Sequence, residues 1–451
     1  MDGSLKFKTM NEELNDLMTV LRFASVSTNS AQATDVRACA DWLVTKFESL
    51  GLSVALHETP GYPVVLARNV HIPGRRTVLI YGHYDVQPAE PLNEWKSPAF
   101  EPTIREGRIF CRGSTDNKGQ FMAHLRGIEE LLTKEGELPV NLIFLIEGEE
   151  EIGSPNLRPF LEAHRDELKC DVVAISDTGM VAQGVGTFTY GLRGIACMEV
   201  RVKGPTIDLH SGIFGGAVAN PNTMVARLAA TLHDAEGRVT IPGFYEGVKD
   251  LQDWEREAWM SLGDSEPETL ELTGAPELFG EAGFHERERR WARPTAEING
   301  IGGGYQGPGS KTVIPREAMM KISFRLVPSQ NPERILDLAE AHFLAHKPTG
   351  VTLEIIRGHT GPSYVMDPHS AFGKAAQRAL AATFGGKTAL IREGGSIPIV
   401  QAFQEVLGVD TLLLGLALPG SQLHAPNENF SIQCFHDGVR LSQALLHELA
   451  L

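Results

Sequence analysis

Apolar residues recur at helical spacing over residues 11–26 and 35–50, and Gly51 follows the second run as glycine commonly follows a helix C-terminus. The spacing predicts two opening helices. Beyond them come short, nearly continuous apolar runs at 77–81, 140–146, 172–175 and 411–414, separated by helical periodicity near 121–135, 155–168, 368–384, 397–407 and 436–450. A strand that is apolar on both faces needs cover on both faces. This alternation therefore predicts an α/β fold, a sheet flanked by helices.

The middle of the chain has a different rhythm. From about 188 to 362 the pattern predicts strand 193–203, helix 220–236, an irregular charged insert at 244–294, strand 296–301, strand 317–327, helix 331–346 and strand 352–358. The order is β-α-β-β-α-β, that of a small ferredoxin-like α+β domain. Residues 188–362 are accordingly expected to form a domain inserted into a discontinuous one made of 1–187 and 363–451. A length of 451 residues, beyond what one core usually serves, agrees with two domains.

Charge narrows the function classes. With 57 acids against 41 bases the net charge is -16, which repels phosphate backbones and anionic lipid, so no nucleic-acid and no membrane partner is expected. The five cysteines are scattered without a CxxC pair, against a disulfide scaffold. Residues 1–8 lead into a polar amphipathic segment, and no apolar stretch is long enough to span a bilayer, so the expected location is cytoplasmic.

Candidate chemistry sits where the apolar runs end. His83 and Asp85 follow 77–81, Glu147, Glu149, Glu150 and Glu151 close or follow 140–146, Asp177 follows 172–175, and His424 follows 411–414 after a loop. Functional side chains of open α/β sheets gather at the carboxyl ends of strands. Imidazoles with several carboxylates suit zinc or a similar divalent ion, and a shared carboxylate allows two ions side by side. Each motif alone has a bland reading: the glutamate run as a solvated turn, Asp116 as a helix cap, Arg325 as a strand salt bridge. The glycine-rich 300–309 stretch lacks the Lys-Ser/Thr of a phosphate loop and reads as a mobile loop.

The strings Gly82-His-Tyr-Asp-Val-Gln-Pro88, Arg112-Gly-Ser-Thr-Asp-Asn-Lys-Gly119, Asp208-Leu-His-Ser-Gly212, Lys311-Thr-Val-Ile-Pro315, Arg325-Leu-Val-Pro328 and Arg392-Glu-Gly-Gly-Ser-Ile-Pro398 carry a family likeness. In them the chain resembles the dinuclear zinc peptidases that include carnosinase and cytosolic non-specific dipeptidase, with aminoacylase and glutamate carboxypeptidase as more distant relatives. The resemblance implies a zinc-exopeptidase-like catalytic domain with an inserted lid and dimerisation domain. It implies two divalent ions per chain, Zn2+ with Mn2+ or Co2+ as alternatives. His83 and Asp177 would complete one metal site, Glu151 and His424 the other, and Asp116 would bridge them.

It further implies Asp85 beside the metals, accepting the remaining N–H of His83, a cis Asp116–Asn117 bond, and Glu150 as general base toward a water shared by both ions, leaving Glu149 exposed. His210 of the inserted domain would stabilise the tetrahedral oxygen across a homodimer formed through that domain. Arg325 would hold the C-terminal carboxylate of a small peptide, with Thr312, Ser396 and the backbone of Gly395 as neutral donors. The implied activity is that of a metal-dependent dipeptidase. An N-acyl-amino-acid deacylase or carboxypeptidase is the alternative on the same scaffold. A non-catalytic binding relative would lack the Glu150 base, and a dinuclear phosphatase would need more cations than these motifs offer.

Overall fold

The structure is a computed structural model that describes residues 14–451. Of the first expected helix, residues 11–13 lie outside the described residues, as do 1–8, and 14–21 are helical. Contacts divide the chain into two compact units, 1–190 with 366–391 and 399–451, and 191–365 with 392–398. The return segment 392–398, which the sequence reading put with the discontinuous domain, thus packs with the inserted one.

The first unit is built on a mixed sheet in the order Ser53–His57, Val64–Arg68, Asn141–Glu147, Thr77–His83, Val172–Ile175, Thr411–Gly415, Gly186–Leu192. Its central strands are buried along their whole length, as their unbroken apolar runs predict: all seven residues of Asn141–Glu147, all four of Val172–Ile175 and all five of Thr411–Gly415. Helix Ala33–Ser49 covers the outer strands. Helix Lys118–Glu135 packs on Thr77–His83 and on the C-terminal helix Ile432–Ala450, which in turn packs on Ala371–Thr383. Gly127 permits one close approach, since a Cβ there would lie 2.7 Å from the Val439 carbonyl oxygen.

The second unit is an antiparallel sheet ordered Thr295–Gly303, Glu317–Leu326, Gly194–Lys203, Thr352–Gly361, with helices Pro221–Ala229 and Pro332–Ala345. Burial alternates residue by residue along Gly194–Lys203, so one face meets the helices. Val200, Val202, Met320, Ile322 and Phe324 from the sheet and Val225, Leu228, Leu336 and Phe343 from the helices form its core. The β-α-β-β-α-β order is as the pattern predicts. Three short helices, Asp253–Met260, Glu266–Thr273 and Glu286–Ala292, organise the charged insert. The glycine-rich stretch is not loop throughout, because residues 300–303 complete strand Thr295–Gly303.

Candidate metal centre

Thr77–His83 runs parallel to Asn141–Glu147 and to Val172–Ile175, which runs parallel to Thr411–Gly415. Four neighbouring strands therefore finish at one edge, and each delivers polar side chains there. His83 closes the first strand, Glu150 and Glu151 lie on a short turn after the second, Asp177 follows the third, and His424 follows the fourth through a loop. Close packing under this edge depends on Gly82, where a Cβ would stand 2.7 Å from the Phe121 Cβ.

Asp116 stands between the two imidazoles. Its Oδ1 lies 3.2 Å from His83 Nε2, and its Oδ2 accepts a hydrogen bond from His424 Nε2 at 2.9 Å. His83 Nε2 is also 3.8 Å from Asp177 Oδ2, and His424 Nε2 is 3.5 Å from Glu151 Oε2. Two groups result, His83 with Asp116 and Asp177, and Asp116 with Glu151 and His424, each with donor atoms within 4.8 Å of one another. Ligands of one tetrahedral zinc ion lie roughly 3.3–3.6 Å apart, given metal–ligand bonds of about 2.0–2.2 Å. The spacing therefore fits an ion in each group. Two buried atoms support the fit: His83 Nε2 and Glu151 Oε1 have no hydrogen-bond partner among the described residues.

Electrostatics point the same way, because burial and mutual repulsion crowd more carboxylates here than the imidazoles balance. Burial pushes the Asp177 carboxyl well up and Glu150 up, and carries Glu151 to about 9, with neighbouring carboxylates adding to each. Burial alone would lower the His83 imidazole, but Asp116 and Asp85 outweigh it and hold the ring well above its ordinary value. For Asp116 burial acts upward, yet the flanking imidazoles of His424 and His83 dominate and depress it. Such a cluster is discharged by cations.

Asp85 contacts more than the His83 ring. The nearer acceptor to His83 Nδ1 is the Asp85 backbone carbonyl at 3.1 Å, with the carboxylate at 3.4 Å. The carboxylate accepts from the backbone N–H groups of Glu150, at 3.2 Å, and Glu151, at 3.1 Å. It thus fixes the turn that carries both glutamates. Glu150 makes no side-chain hydrogen bond to a described residue. Glu149 is buried, not exposed, and its carboxylate takes both bonds from Asn156 Nδ2, at 3.1 and 2.8 Å.

Several residues that lie in or beside the sequence motifs, with no role assigned to them from sequence, organise the site. Glu428 is fully buried and accepts four bonds: from Arg112 Nη1 (2.8 Å) and Gly113 N (3.0 Å) on Oε2, and from Thr115 N (2.9 Å) and Asp116 N (3.0 Å) on Oε1. It folds the loop that presents Asp116. Asn117 donates to the Ser176 carbonyl at 2.6 Å and to Asp177 Oδ1 at 2.8 Å, and the Asp116–Asn117 peptide is cis. Gln87 donates to Glu151 Oε2 at 2.8 Å. Glu147, pushed by burial to about 8, accepts from Tyr81 and Ser154. The visible signal was sequence proximity to the motif residues and little more.

In the second unit, Arg325 Nη1 donates to Ser396 Oγ at 3.1 Å, and Ser396 Oγ donates to the Arg193 carbonyl at 2.5 Å. Gly395 is exposed beside it. His210 pairs with Val313 in a two-residue ribbon, its Nδ1 accepting from Gly212 N at 2.9 Å, while the Thr312 carbonyl accepts from Ser211 N. The structure therefore brings Arg325 to Ser396 and His210 next to Thr312.

Comparison with known proteins places the chain in a family. The model of the peptidase family M20/M25/M40 matches residues 79–448. The Cys-Gly metallodipeptidase dug1 of Schizosaccharomyces pombe is 32% identical, with 98% of this chain and 96% of that protein covered. The human Beta-Ala-His dipeptidase is 31% identical over 86% of this chain and 78% of its own length. Among solved structures, the M20 family metallo-carboxypeptidase Sso-CP2 from Sulfolobus solfataricus is 34% identical with a TM-score of 0.87, covering 97% of this chain and 99% of that one. The chain belongs to the peptidase family M20/M25/M40 and is a peptide-bond hydrolase that uses divalent metal ions.

Proposed function

We propose that the chain is a dipeptidase cleaving the peptide bond of dipeptides that carry a free C-terminal carboxylate, with two Zn2+ ions as its metals. One observation carries the reading: two imidazoles and two carboxylates from four strand ends, with Asp116 from the loop before helix Lys118–Glu135, form two ligand groups that share Asp116. His83 and Asp177 would hold one ion, Glu151 and His424 the other. When bound, the ions supply Lewis acidity, bringing a water's pKa toward neutrality and polarising the scissile carbonyl. Glu150 takes the proton from the attacking water on its carboxylate and delivers it to the departing amine. Asp85 holds the backbone of Glu150 and Glu151 in place for this task.

The inserted residues 188–362 serve as lid and dimerisation domain. His210 acts across the homodimer on the developing oxyanion. Arg325 holds the substrate carboxylate, with Thr312, Ser396 and the Gly395 backbone as neutral donors; the bond from Arg325 to Ser396 supports a common surface for them. Cytoplasmic location is part of the proposal, and no helix among the described residues is long and apolar enough to cross a membrane. Dipeptide hydrolysis is the activity named for the S. pombe and human relatives.

A second reading, a carboxypeptidase, rests on the similarity to Sso-CP2. Rates on free dipeptides, longer peptides and N-acetyl amino acids separate the readings. The dipeptidase account expects kcat/KM highest on free dipeptides. A preference for longer peptides, or for N-acetyl amino acids as an N-acyl-amino-acid deacylase would show, overturns it.

A further inference from the structure

Away from the strand-end cluster, a second group of ligand-type side chains meets on the outer side of the first unit. His57 closes strand Ser53–His57, His164 caps helix Leu157–Ala163, and Glu167 lies three residues on. One ring nitrogen from each imidazole and one carboxylate oxygen lie within 4.8 Å of each other. The rings stand edge to face with centroids 4.6 Å apart, and Phe160 walls both, stacked on His164 at 4.3 Å and edge-on to His57 at 5.2 Å. Glu167 is aimed by its neighbours: Arg68 binds Oε1, while Oε2 lies 3.0 Å from His164 Nδ1.

A surface ion pair explains Arg68, Glu167 and His164, but it leaves His57 unexplained. His57 Nε2 is buried without a hydrogen-bond partner among the described residues. Such an atom loses its solvation without return unless something takes it up. Two imidazoles and one carboxylate, with the carboxylate's second oxygen held by a partner, is a donor set and outer arrangement suited to zinc. The adjacent Arg68 charge is already matched by Glu167.

We propose that His57, His164 and Glu167 bind one further Zn2+ ion, separate from the strand-end centre, with water completing the coordination. The ion ties the end of strand Ser53–His57 to the segment after helix Leu157–Ala163.

The test is zinc content of the full chain, stripped of metal and dialysed against micromolar Zn2+, for the parent protein, His57→Phe and His164→Gln. Each variant is expected to hold one zinc fewer than the parent, with peptide turnover within about twofold of it. The same zinc count in parent and folded variants overturns the proposal. Being a difference between variants, the count does not depend on how the strand-end centre behaves. If neither variant folds, zinc-edge anomalous diffraction from the unaltered protein decides instead. A peak among the three residues supports the site and a blank there overturns it.

Discussion

Beside the ligand groups, Glu150 carries a carboxylate that hydrogen-bonds to no described residue, and replacing it separates proton transfer from metal binding. Glu150→Gln keeps the side chain's size and the Asp85 bond to its backbone N–H. Turnover should fall by roughly 10²–10⁴-fold, the usual worth of a positioned base, while bound metal stays at the parent level. Full turnover in this variant would remove Glu150 as the base. His124 offers a pH test at the same scale. Its imidazole is fully buried and held by that burial at about 4, with Nε2 on Ser176 Oγ at 2.8 Å. Between pH 6.5 and 4 the unfolded chain therefore binds the proton more readily, so stability is full above pH 6.5 and falls as pH drops through that window. The loss is on the order of 3 kcal/mol. Urea melts at pH 7 and 4.5 should show a smaller acid loss in His124→Gln; equal losses would contradict the assignment. His83, Glu151, Asp177 and His424 were legible in sequence because each follows an apolar run, whereas Asp116 stood out only by family resemblance. The role of Glu428 was not legible, since its four partners lie more than 300 positions away, with a separation of 316 to Arg112.

The elements repeat this contrast. Strands such as Asn141–Glu147 announce themselves by apolar residues buried on both faces. Gly186–Leu192 is buried just as completely, yet its glycines and threonines made part of it read as a domain connection. Edge strand Ser53–His57 is mostly half-buried, and its mixed polarity hid it. Short strands Arg108–Phe110 and Asn429–Ser431, which pair with each other, were invisible for want of length. That pairing brings Glu428 to the loop before helix Lys118–Glu135, where it holds a buried ion pair with Arg112 and three backbone N–H groups. Breaking a buried pair by removing one partner costs about 3–5 kcal/mol. Glu428→Ala should lose that much by chemical denaturation and bind metal weakly, because Asp116 loses its backbone anchor. Stability within about 1 kcal/mol of the parent, the spread of ordinary surface changes, would contradict this role.

At the scale of the whole chain, two units with separate cores share one sequence, and the strand-end cluster belongs to the first. An ion bound at a thousand times its Kd adds about 4 kcal/mol to the unit that holds it. Chelation should therefore lower the calorimetric transition of the first unit by several degrees and leave the second nearly in place. A scan unchanged by chelation would mean that the cluster is stable without cations. The inserted β-α-β-β-α-β unit was legible from alternating burial and helical spacing, whereas the return of 392–398 to it was not. Only seven residues make that return, and their loop composition carries no periodicity.

The central claim is that Asp116 is shared by two divalent cations. Anomalous diffraction from crystals of the active, metal-loaded protein tests it most directly. The account predicts two peaks about 3.5–4 Å apart, one bounded by His83 and Asp177, the other by Glu151 and His424, with Asp116 touching both. A single peak, or none within ligand distance of Asp116, would contradict it.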